Sequence, residues 1–183
     1  NRKIRENEAL FRAFFNQAGV GVVQVVAESG ELVLANQRYC EIVGYSVEEL
    51  KNLRYADITH EDDVENQIMT TEKIINGEIE KYRHEKRYIH KNGNLVWADV
   101  TVTRLWETGE KPTYLLAVVQ DITDRKTAEE KIIKLNNQLE DKVAERTRDL
   151  EIAKYKLEAT IEELKSAQAK LINTEKMAVL GRL

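Results

Sequence analysis

Apolar residues recur along this chain with three different periods, and each period predicts a different element. From Arg5 to Ala18, Leu10, Phe11, Phe14, Phe15 and Ala18 fall at helical spacing, which predicts an amphipathic helix. Val20 to Val26 is β-branched and reads as a strand; Glu28-Ser29-Gly30 turns the chain, and Glu31 to Ala35 is a second strand. Asn36 has the chemistry of an N-cap for a short helix through Tyr39, Ile42 and Val43 that stops at Gly44. Ser46-Val47-Glu48-Glu49 has the spacing of a capping box and starts another short helix. Thr59-His60-Glu61-Asp62-Asp63 places acids on the first turn of a longer helix that runs to about Asn76 and stops at Gly77.

Three long strands follow. Lys81–His90 and Leu95–Leu105 are joined through Lys91-Asn92-Gly93-Asn94, where Asn-Gly is the strongest short hairpin signal. Glu107 to Pro112 turns the chain again, and Tyr114–Gln120 is the last strand. The order is helix, two strands, short helices, three strands, long helix. It predicts an α+β domain: a five-stranded antiparallel sheet with short helices on one face. Alternation splits the fourth strand into two faces. Val96, Ala98, Val100 and Val102 share one; Leu95, Trp97, Thr101 and Thr103 share the other. Leu115, Ala117 and Val119 divide the last strand in the same way.

The period becomes seven in the tail. Val143, Leu150, Leu157, Leu164, Leu171 and Ala178 are seven apart, with Ala153, Thr160, Ala167 and Thr174 at the alternate seam position. Such a stripe keeps facing a partner helix, which is a coiled coil. At ~1.5 Å per residue the rod runs roughly 90 Å, and a homodimer through a parallel coiled coil is the simplest way to cover its stripe. Ile132, Leu135, Leu139 and Val143 follow 3-4-4 spacing, a stutter that locally unwinds the supercoil. Arg146, Thr160 and Thr174 also sit in the seam. Two readings stand: a tolerated imperfection, or a weakened coil that shifts between two packings.

Composition sharpens the division. Residues 123–183 contain no proline, one glycine (Gly181), one aromatic (Tyr155), 13 Lys+Arg and 12 Asp+Glu, so this stretch reads as one long helix and the rest as a folded domain. The expected organisation is an N-terminal amphipathic helix at 1–18, the domain at 19–122, the coiled coil at 123–173 and a further segment at 174–183. A net charge of −4 argues against a dedicated nucleic-acid binder. One cysteine, Cys40, excludes an intrachain disulfide and a multi-cysteine metal site. No apolar run reaches the roughly 18 residues of a membrane span, so no membrane contact is expected. The chain does not begin with Met and is expected to be a piece of a longer protein.

Catalytic patterns find no support. There is no GxSxG, HExxH or P-loop, and none of the three serines lies near a histidine in sequence. His84 and His90 share one predicted strand about 20 Å apart at ~3.3 Å per residue, too far to hold one metal. They are expected at surface strand positions, His60 as a solvated cap residue, and Cys40 as a small buried hydrophobe. No catalytic residue and no metal site is expected.

Four stretches together resemble a PAS domain over about residues 10–126. They are Phe11-Arg12-Ala13-Phe14-Phe15 before Gly19-Val20-Gly21-Val22; Ala35-Asn36-Gln37-Arg38-Tyr39 leading into Val43-Gly44-Tyr45-Ser46-Val47-Glu48-Glu49-Leu50; His90-Lys91-Asn92-Gly93 before Val96-Trp97; and Asp121-Ile122-Thr123-Asp124-Arg125-Lys126. Glu140–Leu150 resembles the signalling-helix linker that precedes histidine kinase cores. Residues 174–183 resemble the start of the dimerisation and phosphotransfer helix, which in that family carries the phosphoacceptor histidine a few turns further on.

The resemblance implies a sensory domain and coiled-coil linker feeding a histidine kinase in a two-component phosphorelay. The parent would act on a response regulator, and this portion would be cytoplasmic even if the parent is membrane-anchored. By analogy with the fold, Val96, Ala98, Val100, Val102, Leu115, Ala117 and Val119 face an apolar pocket with few convergent polar groups. That pocket is either a filled core or a site for a small apolar ligand. Flavin photochemistry is disfavoured because Leu53 stands where light-sensing relatives place a reactive cysteine. Haem is disfavoured because the long helix carries no histidine, only Met69. Asp121 and Thr123 are the expected signal junction, with Thr123 capping the long helix. The expected dimer seam is Ile132, Leu135, Leu139, Val143, Leu150, Leu157, Leu164 and Leu171. Two other readings remain: a ligand-free dimerisation module, and the same module ahead of another output such as a nucleotide cyclase.

Overall fold

The structure, a computed structural model, describes the backbone of residues 2–180 and the side chains of 7–177. Gly181, Arg182, Leu183 and the seam side chain of Ala178 lie outside the described residues. The chain divides into two units, Asn1–Ala128 and Glu129–Leu183.

The first unit opens with α1 (Arg2–Gln17), followed by β1 (Gly21–Val26) and β2 (Leu32–Ala35). Asn36 caps α2 (Gln37–Val43), which ends at Gly44 in the left-handed region at φ 80°. A Cβ at Gly44 would lie 2.3 Å from the His90 ring, so both the backbone and the close approach require glycine here. The Ser46–Glu49 capping box closes reciprocally on α3 (Val47–Leu50), with Glu49 N donating to Ser46 Oγ and Ser46 N to Glu49 Oε2. A 3-10 turn, Tyr55–Ile58, follows where no apolar period signals it; Asp57 accepts from the Arg54 amide and closes it. Then come α4 (Glu61–Ile75), β3 (Lys81–Ile89), β4 (Leu95–Arg104) and β5 (Tyr114–Asp121).

The five strands form one antiparallel sheet in the order β2-β1-β5-β4-β3. The first hairpin and the last three strands therefore meet at β1 and β5, with Val23 opposite Ala117 and Val25 opposite Leu115. One sheet face is buried. Val23, Val100, Leu115 and Val119 are at most 2% exposed and pack with Tyr39, Val43, Leu50, Ile58 and Ile74 from the helices. Each such aliphatic side chain contributes ~1.5–3 kcal/mol by leaving water.

Asn36 is the polar pin of this unit. It is fully buried, and its Oδ1 accepts from Val22 N and Tyr39 N, each at 2.9 Å. Its Nδ2 donates to Phe15 O at 2.8 Å and Val20 O at 3.0 Å. One side chain thus satisfies all four of its hydrogen-bonding positions and ties α1, β1 and α2 together. On α1, Leu10, Phe11 and Phe14 remain exposed.

The second unit is helix alone. The helix α5 (Thr123–Leu180) is 58 residues long and starts inside the first unit. Ile132, Leu135, Leu139, Val143, Leu150, Leu157, Leu164 and Leu171 are all exposed along it, Leu150 by 70%.

Candidate functional site

Beneath the sheet lies a cavity of about 20 Å³, room for roughly one water. Of the expected lining residues, Val100, Val102, Leu115 and Ala117 form its wall. Ala98 and Val119 are buried in the surrounding core without reaching the cavity, and Val96 packs against that core half-buried. Val23, Val25 and Leu32 extend the aliphatic part, and Tyr39, Tyr55, Gln67, Thr71, Tyr82 and Tyr88 make the rest of the wall more polar than the valine alternation suggested.

Strand β3 explains the difference. The pleat turns Tyr82, His84, Lys86 and Tyr88 toward the helices, while Lys81, Arg83 and Glu85 face solvent. Lys86 is 1% exposed. Its Nζ donates to Gln67 Oε1 at 2.7 Å and Thr59 Oγ1 at 3.0 Å, and sits 4.2 Å over the Tyr88 ring. Thr59 Oγ1 in turn donates to Tyr55 O at 2.7 Å, so the hydroxyl is used in both directions. No carboxylate among the described residues bonds the ammonium. The closest acid in effect, Asp63, spends its oxygens on the Arg87 backbone and guanidinium at 2.8–2.9 Å. Burial pulls Lys86 down to about 7, with Asp63 opposing. Arg87 holds the Asp63 carboxyl below its ordinary range.

Tyr39 and His84 also carry buried polar atoms. Tyr39 is fully buried with Tyr88 edge-on beside it, and the Tyr88 hydroxyl lowers its proton affinity against the larger effect of burial. Burial pushes the Tyr39 hydroxyl up, so it stays a donor. His84, expected at the surface, turns inward. Neither ring nitrogen finds a partner, and burial followed by the Lys86 charge pulls it down to about 4, which leaves it neutral. His90 lies beyond β3, where its Nδ1 accepts from Asn92 N, and His60 caps α4 through Nδ1 to Asp62 N. Cys40 is buried in the core, which keeps it a thiol. No three metal-ligating side chains come together among the described residues.

The second functional region is the join between sheet and helix. Asp121 ends β5, and its Oδ1 accepts from Thr123 N at 2.9 Å. Asp121 is therefore the group that satisfies the first helical amide, and Thr123 does something other than the expected capping. Its Oγ1 accepts from Trp97 N at 3.0 Å, while Ile122 N donates to Trp97 O at 2.8 Å. The start of α5 is thereby clasped to β4 through main-chain groups. The Trp97 ring has two cations beside it, Lys126 Nζ at 5.1 Å and the Arg87 guanidinium at 5.5 Å. Glu85 adds a fork, accepting from Arg125 at 2.6 Å and pairing with Lys126 at 2.5 Å, and both cations hold its carboxyl below the ordinary range.

Three consecutive residues of β3 reach both helices. Lys86 bonds Gln67 of α4, Glu85 grips α5, and Arg87 grips α4 and stands beside Trp97. Sequence reasoning missed Lys86 and Glu85. Tyr82 and Tyr88 on one face of the strand were the available signal for the inward set.

Comparison with known proteins places this geometry. Residues 32–119 match the family model of the PAS fold. The chain is 34% identical over 142 residues to "Probable diguanylate cyclase DgcE" of Escherichia coli (strain K12), covering 78% of this chain and 12% of that protein. It is 24% identical over 139 residues to "Sensor histidine kinase TmoS" of Ectopseudomonas mendocina, covering 76% and 14%. It is 26% identical over 145 residues to "Sporulation kinase C" of Bacillus subtilis (strain 168), covering 75% and 33%. The chain thus spans a third or less of each relative. Among solved structures, the PAS domain of an HTR-like protein from Haloarcula marismortui superposes with TM-score 0.56 at 20% identity, covering 66% of this chain and 96% of that one. A PAS domain from Colwellia psychrerythraea gives 0.57 at 19%, covering 66% and 98%. No described helix is long and apolar enough to cross a membrane.

Proposed function

Residues 32–119 form a PAS domain, and from that premise we propose that it is the sensory part of a dimeric signalling protein whose α5 carries the signal to a histidine kinase output. A small molecule entering the cavity under the sheet shifts β3 and β4. The Trp97–Thr123 clasp and the Glu85 fork pass that shift to α5. A second copy covers the exposed α5 stripe in a parallel coiled coil, and the stuttered seam between Leu139 and Val143 is the element biased between two packings. The fragment itself has no catalytic role; the parent transfers a phosphoryl group to a response regulator.

The observation that carries this reading is the clasp. Main-chain bonds at Trp97 leave the sheet little freedom to move without the start of α5. Two relatives named as kinases and the kinase-like residues 174–183 support the choice of output.

One observation favours a second output. The relative with 34% identity is named a probable diguanylate cyclase. The test uses the full-length parent. Incubation with labelled ATP and with GTP separates an acid-labile phosphohistidine from cyclic di-GMP. The kinase reading expects the first, and its absence alongside cyclic di-GMP overturns that output. Asp121→Ala and Thr123→Val, which remove the acceptors of Thr123 N and Trp97 N, should each break the dependence of output on stimulus. An unchanged response in both variants would leave a ligand-free dimerisation module, for which the small size of the cavity speaks.

A further inference from the structure

Two bases face the helices from one strand, and the carboxylates around them are already taken. His84 and Lys86 are two residues apart on β3, so the pleat turns both inward. Lys86 is 1% exposed, and its two acceptors, Gln67 Oε1 and Thr59 Oγ1, are neutral. Neither nitrogen of the His84 ring has a hydrogen-bond partner among the described residues. The carboxylates that act on the pair are Asp63 and Asp99. Asp63 is held by Arg87 through three hydrogen bonds, and Asp99 is held by Arg83.

The other ionisable groups on the surrounding elements supply no anion. Burial keeps the hydroxyls of Tyr39 on α2, Tyr55 on the 3-10 turn, and Tyr82 and Tyr88 on β3 protonated. His60, just ahead of α4, spends its Nδ1 on the Asp62 amide, and the Asp62 carboxylate pairs with Arg87. A charge buried without a counter-charge loses more hydration than neutral dipoles return. The closed site therefore favours the neutral form of both bases. Burial lowers Lys86 to about 7 and, with the Lys86 charge, lowers His84 to about 4.

We propose that the contact between α4 and the inner face of β3 is a proton-sensitive latch: α4 stays closed over the strand while Lys86 and His84 are neutral, and protonation of either shifts the balance toward a form in which α4 has parted from β3 and water reaches the charge. In the open form each base has its ordinary proton affinity, so the open form binds more protons wherever the pH lies between the two values. That window runs from 10.5 down to about 7 for Lys86, and from 6.5 down to about 4 for His84. Acidification opens the latch across both windows. Opening breaks the Lys86–Gln67 bond and the Arg87 grip on Asp63, beside the Glu85 fork on α5. The inference rests on the sensory reading only for this last link, and adds the proton as an input.

The test is amide hydrogen exchange of the complete 183-residue chain from pH 9 to pH 4.5, each rate divided by the intrinsic rate at that pH. The amides of Thr71 and Ile74 on α4 should be less protected than those of Val23 and Val119 at every pH, which marks a local opening. Their opening constant should rise roughly fiftyfold from pH 9 to pH 7 and roughly fortyfold from pH 6.5 to pH 4.5. Lys86→Met should flatten the first rise and leave the second. Lys86→Gln, which keeps a donor but no charge, covers the case in which the methionine variant fails to fold, and the same flattening is expected. His84→Gln should flatten the second rise alone. A pH-independent opening constant in the wild type, an unchanged first rise in the folded Lys86 variants, or exchange of α4 only together with Val23 and Val119 overturns the latch. Each of these results leaves the sensory reading standing, because that reading is decided by the output of the full-length parent.

Discussion

Glu85 and Lys86 are adjacent on β3, and the pleat sends their side chains to opposite faces of the sheet. Glu85 holds Arg125 and Lys126 at the start of α5, while Lys86 reaches into the buried side and holds Gln67 of α4. A strand cannot twist at one of these residues without moving the other. Two adjacent residues thus connect α4 on the buried side with the start of the outgoing helix.

Lys86 makes stability depend on alkaline pH. Its folded value, about 7, lies below the ordinary 10.5. Between those values the unfolded chain holds a proton that the folded chain has released. Stability therefore rises with pH across that window, and the penalty is fully present below about 7. The groups around Lys86 are Asp63 from α4, already paired with Arg87, neutral His84, the Gln67 and Thr59 acceptors and the ring of Tyr88. Urea titrations at pH 7 and pH 9.5 should show wild type gaining relative to Lys86→Met, with a slope approaching ~1.4 kcal/mol per pH unit. Parallel pH profiles would place the ammonium in a better-solvated site.

Asn36 should be among the costliest polar positions to change. Asn36→Ala strands the amides of Val22 and Tyr39 and the carbonyls of Phe15 and Val20. Buried groups left without partners cost ~1–3 kcal/mol each, so a loss of at least ~3 kcal/mol in chemical denaturation is expected. Asn36→Asp should also destabilise, since a carboxylate keeps the acceptor side but faces two carbonyls. A loss below ~1 kcal/mol in either variant would mean that water replaces the side chain.

Asp121→Ala removes the acceptor of the first α5 amide. A lost cap costs ~0.5–2 kcal/mol. Hydrogen exchange should quicken at Thr123 and its neighbours while the amides of β1 and β5 keep their protection. Thr123→Val instead removes the acceptor for Trp97 N, and should quicken exchange at Trp97 itself. Identical exchange maps for the two variants would argue against separate roles.

The α5 stripe has a measurable consequence. Sedimentation equilibrium should find the chain dimeric. Leu150→Asp together with Leu157→Asp should shift it to monomer, whereas Arg146→Leu with Thr160→Leu should tighten the dimer. A monomeric wild type at micromolar concentration would remove the coiled coil from the account.

The local features were legible in the sequence because local interactions make them. The Asn36 cap, the Ser46–Glu49 box, the glycine stop at Gly44 and the Asn92-Gly93 turn each depend on residues a few positions apart. The sevenfold stripe from Val143 to Leu171 and the inward faces of β4 and β5 are equally properties of a repeat. The chemistry of the site is different in kind. Lys86 reads as a surface cation in a strand rich in charge, and only α4 closing over β3 makes it buried. Asp63 could have neutralised it, but the register brings Arg87 to that carboxylate first. Thr123 stands 26 residues from Trp97 along the chain, and only the pairing of β4 with β5 brings the two together. Periodicity reports which way a side chain turns relative to its own strand or helix. What it meets there depends on which elements pack against it, and that is decided by contacts between residues far apart in the chain.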